Sequence, residues 1–174
     1  MVGTIEPRKN HKLVLNAYNA GLKELGFNIV FAGYMGWNMD DFAEELKVHP
    51  DYNKRIFHLT GQNDQSIAYL YQHARFLAFC SYTEGFGLPL IEGIMRGTPV
   101  IASDIPVSRE VAEDYCVWFP QDDVGAFCDR VRYYQENETE YARMKERLSG
   151  FSCCTWEKSW AMMHEVVMES SILF

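Results

Sequence analysis

Glu84-Gly85-Phe86-Gly87-Leu88-Pro89-Leu90-Ile91-Glu92 sets two carboxylates eight positions apart, with two glycines and a proline between them. Gly85 and Gly87 let backbone amides approach a ligand that a Cβ would hold away, and Pro89 suits the start of a helix. The apolar run from Leu88 to Met95 predicts a buried helix. A glycine loop feeding a helix N-terminus binds phosphate through free N–H groups and the helix dipole. An acid at each end would hold whatever is joined to that phosphate, which is the chemistry of a nucleotide-sugar site. Arg8 and Lys9, in Thr4-Ile5-Glu6-Pro7-Arg8-Lys9-Asn10, form the second candidate. A guanidinium offers a planar fork to phosphate oxygens, and an ammonium offers a mobile point charge. Alone they read as two ordinary surface cations. On one rim with the glycine loop they read as a phosphate pair.

Plainer roles compete for some of these residues. Glu92, placed in the first helical turn, would offset the helix dipole or cap it. Phe86 would fill the core beneath the loop. Glu84, standing before Gly-Phe-Gly, has no comparable structural duty. The five histidines lack paired metal-ligand spacing, so no metal site is expected. Asp40-Asp41 and Asp122-Asp123 read as acids at helix starts. Ser81 lacks the flanking glycines of a hydrolase elbow, and Gly3 with Gly33-Tyr34-Met35-Gly36 does not make the dinucleotide fingerprint.

The elements that must position these residues alternate between strand and helix. Strands are expected at Val2–Ile5, Phe27–Ala32, Arg55–Leu59, Phe76–Phe79, Pro99–Ala102 and Val117–Phe119. Helices are expected at His11–Leu25, Met39–Lys47, Gln65–His73 with Asp64 as its cap, Leu88–Met95 and Val107–Ala112. Three more are expected at Asp123–Gln135, Thr139–Leu148 and Trp156–Ser170. Alternation of this kind implies right-handed βαβ units and a Rossmann-like α/β fold, a parallel sheet with helices on both faces. Ligands of such sheets sit at the C-terminal ends of the strands, which places the loops after Ile5, Ala32, Leu59, Cys80 and Ala102 on one rim.

The 174 residues read as one domain, 1–174, with no repeat or linker, and are long enough for a sizeable core. No apolar run reaches the roughly 20 residues of a membrane helix. With 16 basic and 24 acidic residues the net charge is −8, which argues against a general electrostatic grip on nucleic acid. An anionic ligand must therefore meet local cations. Five cysteines, odd in number and without metal spacing, read as reduced thiols of a cytoplasmic protein.

Val2-Gly3-Thr4, Pro7-Arg8-Lys9-Asn10, the Phe-Ala-Gly ending the second strand and Glu84 to Pro89 with Glu92 occur in order. Gly97-Thr98-Pro99-Val100-Ile101-Ala102-Ser103 and Trp156-Glu157-Lys158-Ser159 follow. Together they resemble the C-terminal, donor-binding domain of retaining glycosyltransferases of the GT-B fold, family four, the mannosyltransferase-like group. The resemblance implies that Glu84 contacts donor-sugar hydroxyls and that the amides of Gly85, Phe86, Gly87 and Leu88 approach the diphosphate. It implies that Arg8 and Lys9 neutralise that diphosphate, that Glu92 accepts from ribose hydroxyls, and that the base lies near Thr60, Gly61 and Gly33. It further implies a nucleoside-diphosphate sugar (GDP-mannose or a UDP-hexose), a sugar or lipid-linked acceptor, and no metal or other cofactor. An N-terminal acceptor domain, absent from this chain, would complete the enzyme, which could lie peripherally at a membrane surface. The isolated domain is expected to bind donor without efficient transfer, and some of the apolar face of the last helix (Trp160, Met163, Val166, Val167) to be exposed. The competing reading is a noncatalytic α/β domain that binds a nucleotide or a protein, which would be indifferent to the hexose.

Overall fold

The computed structural model describes residues 1–170. Its strands are β1 (Ile29–Ala32), β2 (Ile56–Leu59), β3 (Leu77–Phe79), β4 (Val100–Ser103) and β5 (Val117–Phe119). The helices are α1 (His11–Asn19), α2 (Asp40–Val48), α3 (Asp64–His73), α4 (Leu88–Met95), α5 (Pro106–Ala112), α6 (Val124–Glu136), α7 (Glu138–Leu148) and α8 (Trp156–Ser170). Every strand pair is parallel. β1 meets β2 in the register Ile29↔Ile56, β3 meets β4 with Leu77↔Val100, and β4 meets β5 with Ile101↔Val117. The fold is the α/β, Rossmann-like one that the alternation implies.

The expected strand Val2–Ile5 is reduced to two isolated bridges, Val2 to Ala32 and Ile5 to Met35. Gly3 explains the break, because its φ of 114° takes the backbone out of the extended region. As a result the described strands form a two-stranded and a three-stranded sheet. The Gly3–Arg8 segment still ties them together. Gly3 N donates to Ala32 O at 2.9 Å and Ile5 N to Tyr34 O at 2.8 Å, beside β1. At its far end Arg8 O accepts from Tyr82 N at 2.7 Å, beside the loop that follows β3.

Helices cover both faces. Leu13, Val14, Ala17 and Tyr18 of α1 pack with Phe127 and Val131 of α6, and with Phe31, Ile56, Ile101 and Phe119 of the strands. On the other side Leu90 and Ile94 of α4, Ala112 of α5 and Leu148 of α7 pack with Leu77, Phe79, Val100 and Ala102. Helix starts depart from expectation in detail. Asn63, not Asp64, caps α3, its Oδ1 accepting from Ser66 N at 2.9 Å. The expected single helix His11–Leu25 divides at Gly21, and Leu22–Leu25 continues as a 3-10 turn. None of the five cysteines is paired; Cys80, Cys116 and Cys128 are buried, Cys153 is half-buried and Cys154 exposed. None of the described helices is long and apolar enough to cross a membrane.

Three of the four tryptophans lie away from the core, and the fourth packs against its edge. Trp37, Trp156 and Trp160 are exposed, and Trp118 is half-buried with the Arg109 guanidinium 4.4 Å from its ring centroid. Trp160 and Met163 stand exposed on α8, as the resemblance implied.

His11 is the anomaly of the core. It is 1% exposed, lies against Phe31 and Phe42 with ring centroids 5.6 and 6.3 Å away, and neither ring nitrogen has a hydrogen-bond partner. Burial, then the charges of the N-terminal amine, Lys9 and His58, push its pKa from 6.5 down to about 3. The unfolded chain takes up a proton below 6.5 that the folded chain refuses, so this stability is complete above 6.5 and is lost as pH falls toward 3. We expect the urea midpoint to fall across that window and His11→Leu to flatten the slope. A pH profile that His11→Leu leaves unchanged contradicts the assignment.

Candidate active site

The site is built where two segments distant in sequence meet. Pro7–Lys9 forms a 3-10 turn just before α1. Asn10 ends that turn at a φ of 52° and caps α1, its Oδ1 accepting from Leu13 N at 3.3 Å. From this turn Arg8 reaches the loop after β3, where it pairs with Glu84 and donates to Thr83 O at 3.1 Å. Arg8 also pairs with Glu6 at 2.7 Å. Lys9 Nζ lies 3.5 Å from Glu84 Oε1, with its side chain 10% exposed. Ser81 Oγ donates to the same Oε1 at 2.8 Å.

Glu84 is thus a mostly buried carboxylate surrounded by donors, its side chain 7% exposed. Burial works against its charged form, but the hydrogen bonds from Arg8 and Ser81 and the charge of Lys9 outweigh it. The carboxyl stays below the usual range. Reciprocally, the hydrogen bond to Glu84 raises the pKa of Arg8. Glu84 and Arg8 therefore face each other as a charged pair at neutral pH.

From Glu84 the loop runs over Gly85 and Phe86 to Gly87, which precedes α4 at a φ of 88°. A Cβ on Gly87 would come 3.3 Å from the Phe79 ring, in a backbone conformation that L side chains rarely adopt. Pro89 takes its place in the first turn of α4 as read. Among the described residues, no backbone acceptor takes the N–H groups of Gly85, Phe86, Gly87 or Leu88. Nothing lies within 4 Å of where a Cβ on Gly85 would stand. Phe86 is 54% exposed and Leu88 is exposed too, which corrects the expectation that Phe86 fills the core. Gly87 thus sits close against Phe79 and Leu90, while Phe86 and Leu88 face outward.

Glu92 lies one turn further along α4 than expected, outside the first helical turn. Its Oε2 accepts from the Tyr71 hydroxyl at 3.0 Å. Burial, then the Glu92 charge, raises the Tyr71 pKa, so this phenol stays a donor and fixes the carboxylate. Dipole compensation is therefore not what places Glu92. Gly33, Thr60 and Gly61 sit at the ends of β1 and β2, beside each other because those strands pair. His58 Nε2 donates to Gly33 O at 2.9 Å, and the Tyr34 hydroxyl comes within 3.5 Å of a Cβ built on Gly61. Among the described residues, no hydrogen bond or ion pair joins this group to Glu84; the Gly3–Arg8 segment links the two. Ser81 is the member of the cluster that hydrolase-directed reading of the sequence passed over. Its signal was position, three residues before Glu84 on a tight loop. Among the described residues, no three His, Cys, Asp or Glu side chains cluster as a metal site.

A carboxylate oriented by two cations beside a row of free amides can hold hydroxyls and phosphate oxygens together. The comparisons agree with that chemistry. Residues 1–149 match the family model described as glycosyl transferases group 1. The chain is 38% identical over 164 residues to the serotype-specific mannosyltransferase WbdA of Escherichia coli, covering 91% of this chain and 19% of that protein. It is 35% identical over 132 residues to the O-antigen chain mannosyltransferase B of Escherichia coli, covering 75% of this chain and 34% of the relative. It therefore spans only about a fifth to a third of the length of these relatives. The fold superposes on the catalytic domain of starch synthase IV from Arabidopsis thaliana, bound to ADP and acarbose, with a TM-score of 0.79. That match is 19% identical and covers 97% of this chain and 38% of that one. It superposes on Anabaena HepE in complex with UDP with a TM-score of 0.70, at 18% identity, covering 84% of this chain and 42% of that one. On its match to the family model over most of its length, the chain belongs to the group 1 glycosyl transferases, GT-B enzymes with a Rossmann-like α/β domain.

Proposed function

We propose that this chain is the donor domain of a retaining glycosyltransferase that binds a nucleoside-diphosphate sugar, GDP-mannose or a UDP-hexose. The observation that carries the reading is the Glu84 carboxylate, clasped by Arg8, Lys9 and Ser81 at the mouth of a loop with four unclaimed amides. Glu84 would turn to sugar hydroxyls, and the amides of Gly85 to Leu88 with Arg8 and Lys9 would take the diphosphate. Charge on the departing nucleotide would then be stabilised without a metal. Glu92, already fixed by Tyr71, would accept from the ribose, and the base would lie over Gly33, Thr60 and Gly61. The names of the mannosyltransferase relatives favour a mannosyl donor.

Hexosyl transfer to a sugar or lipid-linked acceptor would occur in a cleft against an N-terminal acceptor domain, whose closure excludes water. The 174-residue chain by itself would act as one donor-binding unit without efficient transfer. The test is calorimetric titration with GDP-mannose, UDP-glucose, GDP and UDP, on the chain and on Glu84→Gln. We expect one nucleotide sugar to bind, and Glu84→Gln to weaken that sugar by about tenfold while leaving the bare diphosphate nearly unchanged. Equal binding of every hexose by both proteins would favour a noncatalytic nucleotide module instead.

A further inference from the structure

Asp122 belongs to the loop after β5, two residues before α6, and its neighbour Asp123 is the one that caps that helix, accepting from Ala126 N at 2.8 Å. Asp122 does something else. Its Oδ1 accepts from the Tyr82 hydroxyl at 2.8 Å and from Asn10 Nδ2 at 3.2 Å. Its backbone is left-handed at a φ of 64°, a conformation uncommon for a residue other than glycine. Gln121 Nε2 donates to Tyr82 O at 2.8 Å, so the same loop holds Tyr82 at both ends.

The two residues that Asp122 joins flank the two halves of the site. Asn10 follows the Arg8-Lys9 pair directly, and its N–H closes their turn onto Pro7 O at 3.1 Å. Tyr82 stands two residues before Glu84, and its N–H donates to Arg8 O at 2.7 Å. One carboxylate oxygen therefore joins the basic turn to the acidic loop through contacts separate from the Arg8–Glu84 pair. We infer that Asp122 is a positioning residue for donor binding, acting through Tyr82 and Asn10 to hold Arg8 and Lys9 in the geometry that receives the diphosphate. The inference rests on the donor-domain reading above.

Electrostatics alone predicts the opposite sign, which makes the proposal easy to overturn. Asp122 is a negative charge on the rim of an anion site, so deleting it should strengthen diphosphate binding if charge were its whole effect. Positioning predicts that Asp122→Ala weakens GDP or UDP, whichever the chain binds, by roughly tenfold, the loss of about one hydrogen bond to a charged group. Asp122→Asn keeps an acceptor oxygen for Tyr82 and Asn10 while removing the charge, and should bind as well as the parent or better. Guanosine or uridine, lacking phosphate, should bind all three proteins alike. Equal or tighter diphosphate binding by Asp122→Ala sinks the proposal. The Glu84 carboxyl, titrated by carbon NMR without ligand, gives a second readout. Its midpoint should move up toward the ordinary value in Asp122→Ala and stay low in Asp122→Asn. An unmoved midpoint in both overturns the clamp even if no nucleotide binds the parent, an outcome that would by itself count only against the donor reading.

Discussion

On the proposed donor reading, the chain with Arg8→Ala and Lys9→Ala together is expected to bind a nucleoside diphosphate about 100- to 1,000-fold more weakly than the parent, with nucleoside binding unchanged. Hydrogen bonds from charged donors contribute about 1.5–3 kcal/mol each, and every 1.4 kcal/mol is about tenfold in affinity. The two losses will not simply add, because both cations also contact Glu84. Removing them leaves that carboxylate mostly buried with Ser81 as its remaining donor in the cluster. Such a charge is costly, so the double variant should also melt lower at neutral pH. Adding Glu84→Gln should restore much of the lost stability and none of the lost diphosphate binding. That separation is the decisive feature. Calorimetry on both variants, with differential scanning for stability, measures it; retention of diphosphate affinity by the double variant would remove the cations from the site.

Gly33→Ala is expected to cost about 3 kcal/mol or more of folding stability, near the upper end for overpacking substitutions. For a chain of this size that corresponds to a fall of roughly 6–12 °C in Tm. A Cβ there would lie 2.0 Å from Gly3 O, 2.5 Å from the Gly3 carbonyl carbon and 3.2 Å from Thr4 N. These are backbone atoms, and neither strand end can retreat. Gly3 N is bonded to Ala32 O at 2.9 Å, and Gly33 N to Leu59 O at 2.9 Å. The requirement at this position is space between two backbones, set before any ligand arrives. A melt within about 2 °C of the parent would show that the Gly3 segment moves freely, against the rigid link drawn here.

Gly33 also illustrates what the residues disclosed. Its place on the rim was legible from the strand it follows, but its contact with Gly3 depends on how a 30-residue-distant segment crosses β1. The loop and α4 were read with their limits, Leu88 to Met95, because Gly87 and Pro89 act locally and leave few conformations. The meeting of Arg8 with Glu84 was legible only as a shared rim, since parallel strands bring their loops together without naming partners. Where reading failed, a long-range contact or a single dihedral decided. Val2 to Ile5 has strand composition, yet Gly3 turns it into two bridges. Asp122 and Asp123 are adjacent acids before a helix, and only one of them caps it. The plainer reading of Glu92, dipole compensation, gives way to the Tyr71 hydroxyl, 21 residues away, which accounts for its orientation.

The placement of the tryptophans has an optical consequence. Three of the four indoles are exposed and only Trp118 is half-buried against the core, so the native chain should already emit largely at the long wavelengths of water-exposed tryptophan. Unfolding will then shift that emission little, and fluorescence will understate cooperativity that circular dichroism reports in full. Trp37, four residues past Gly33, stands at the rim where the base is proposed to lie. The signal that is poor for following the fold is therefore well placed for following the ligand.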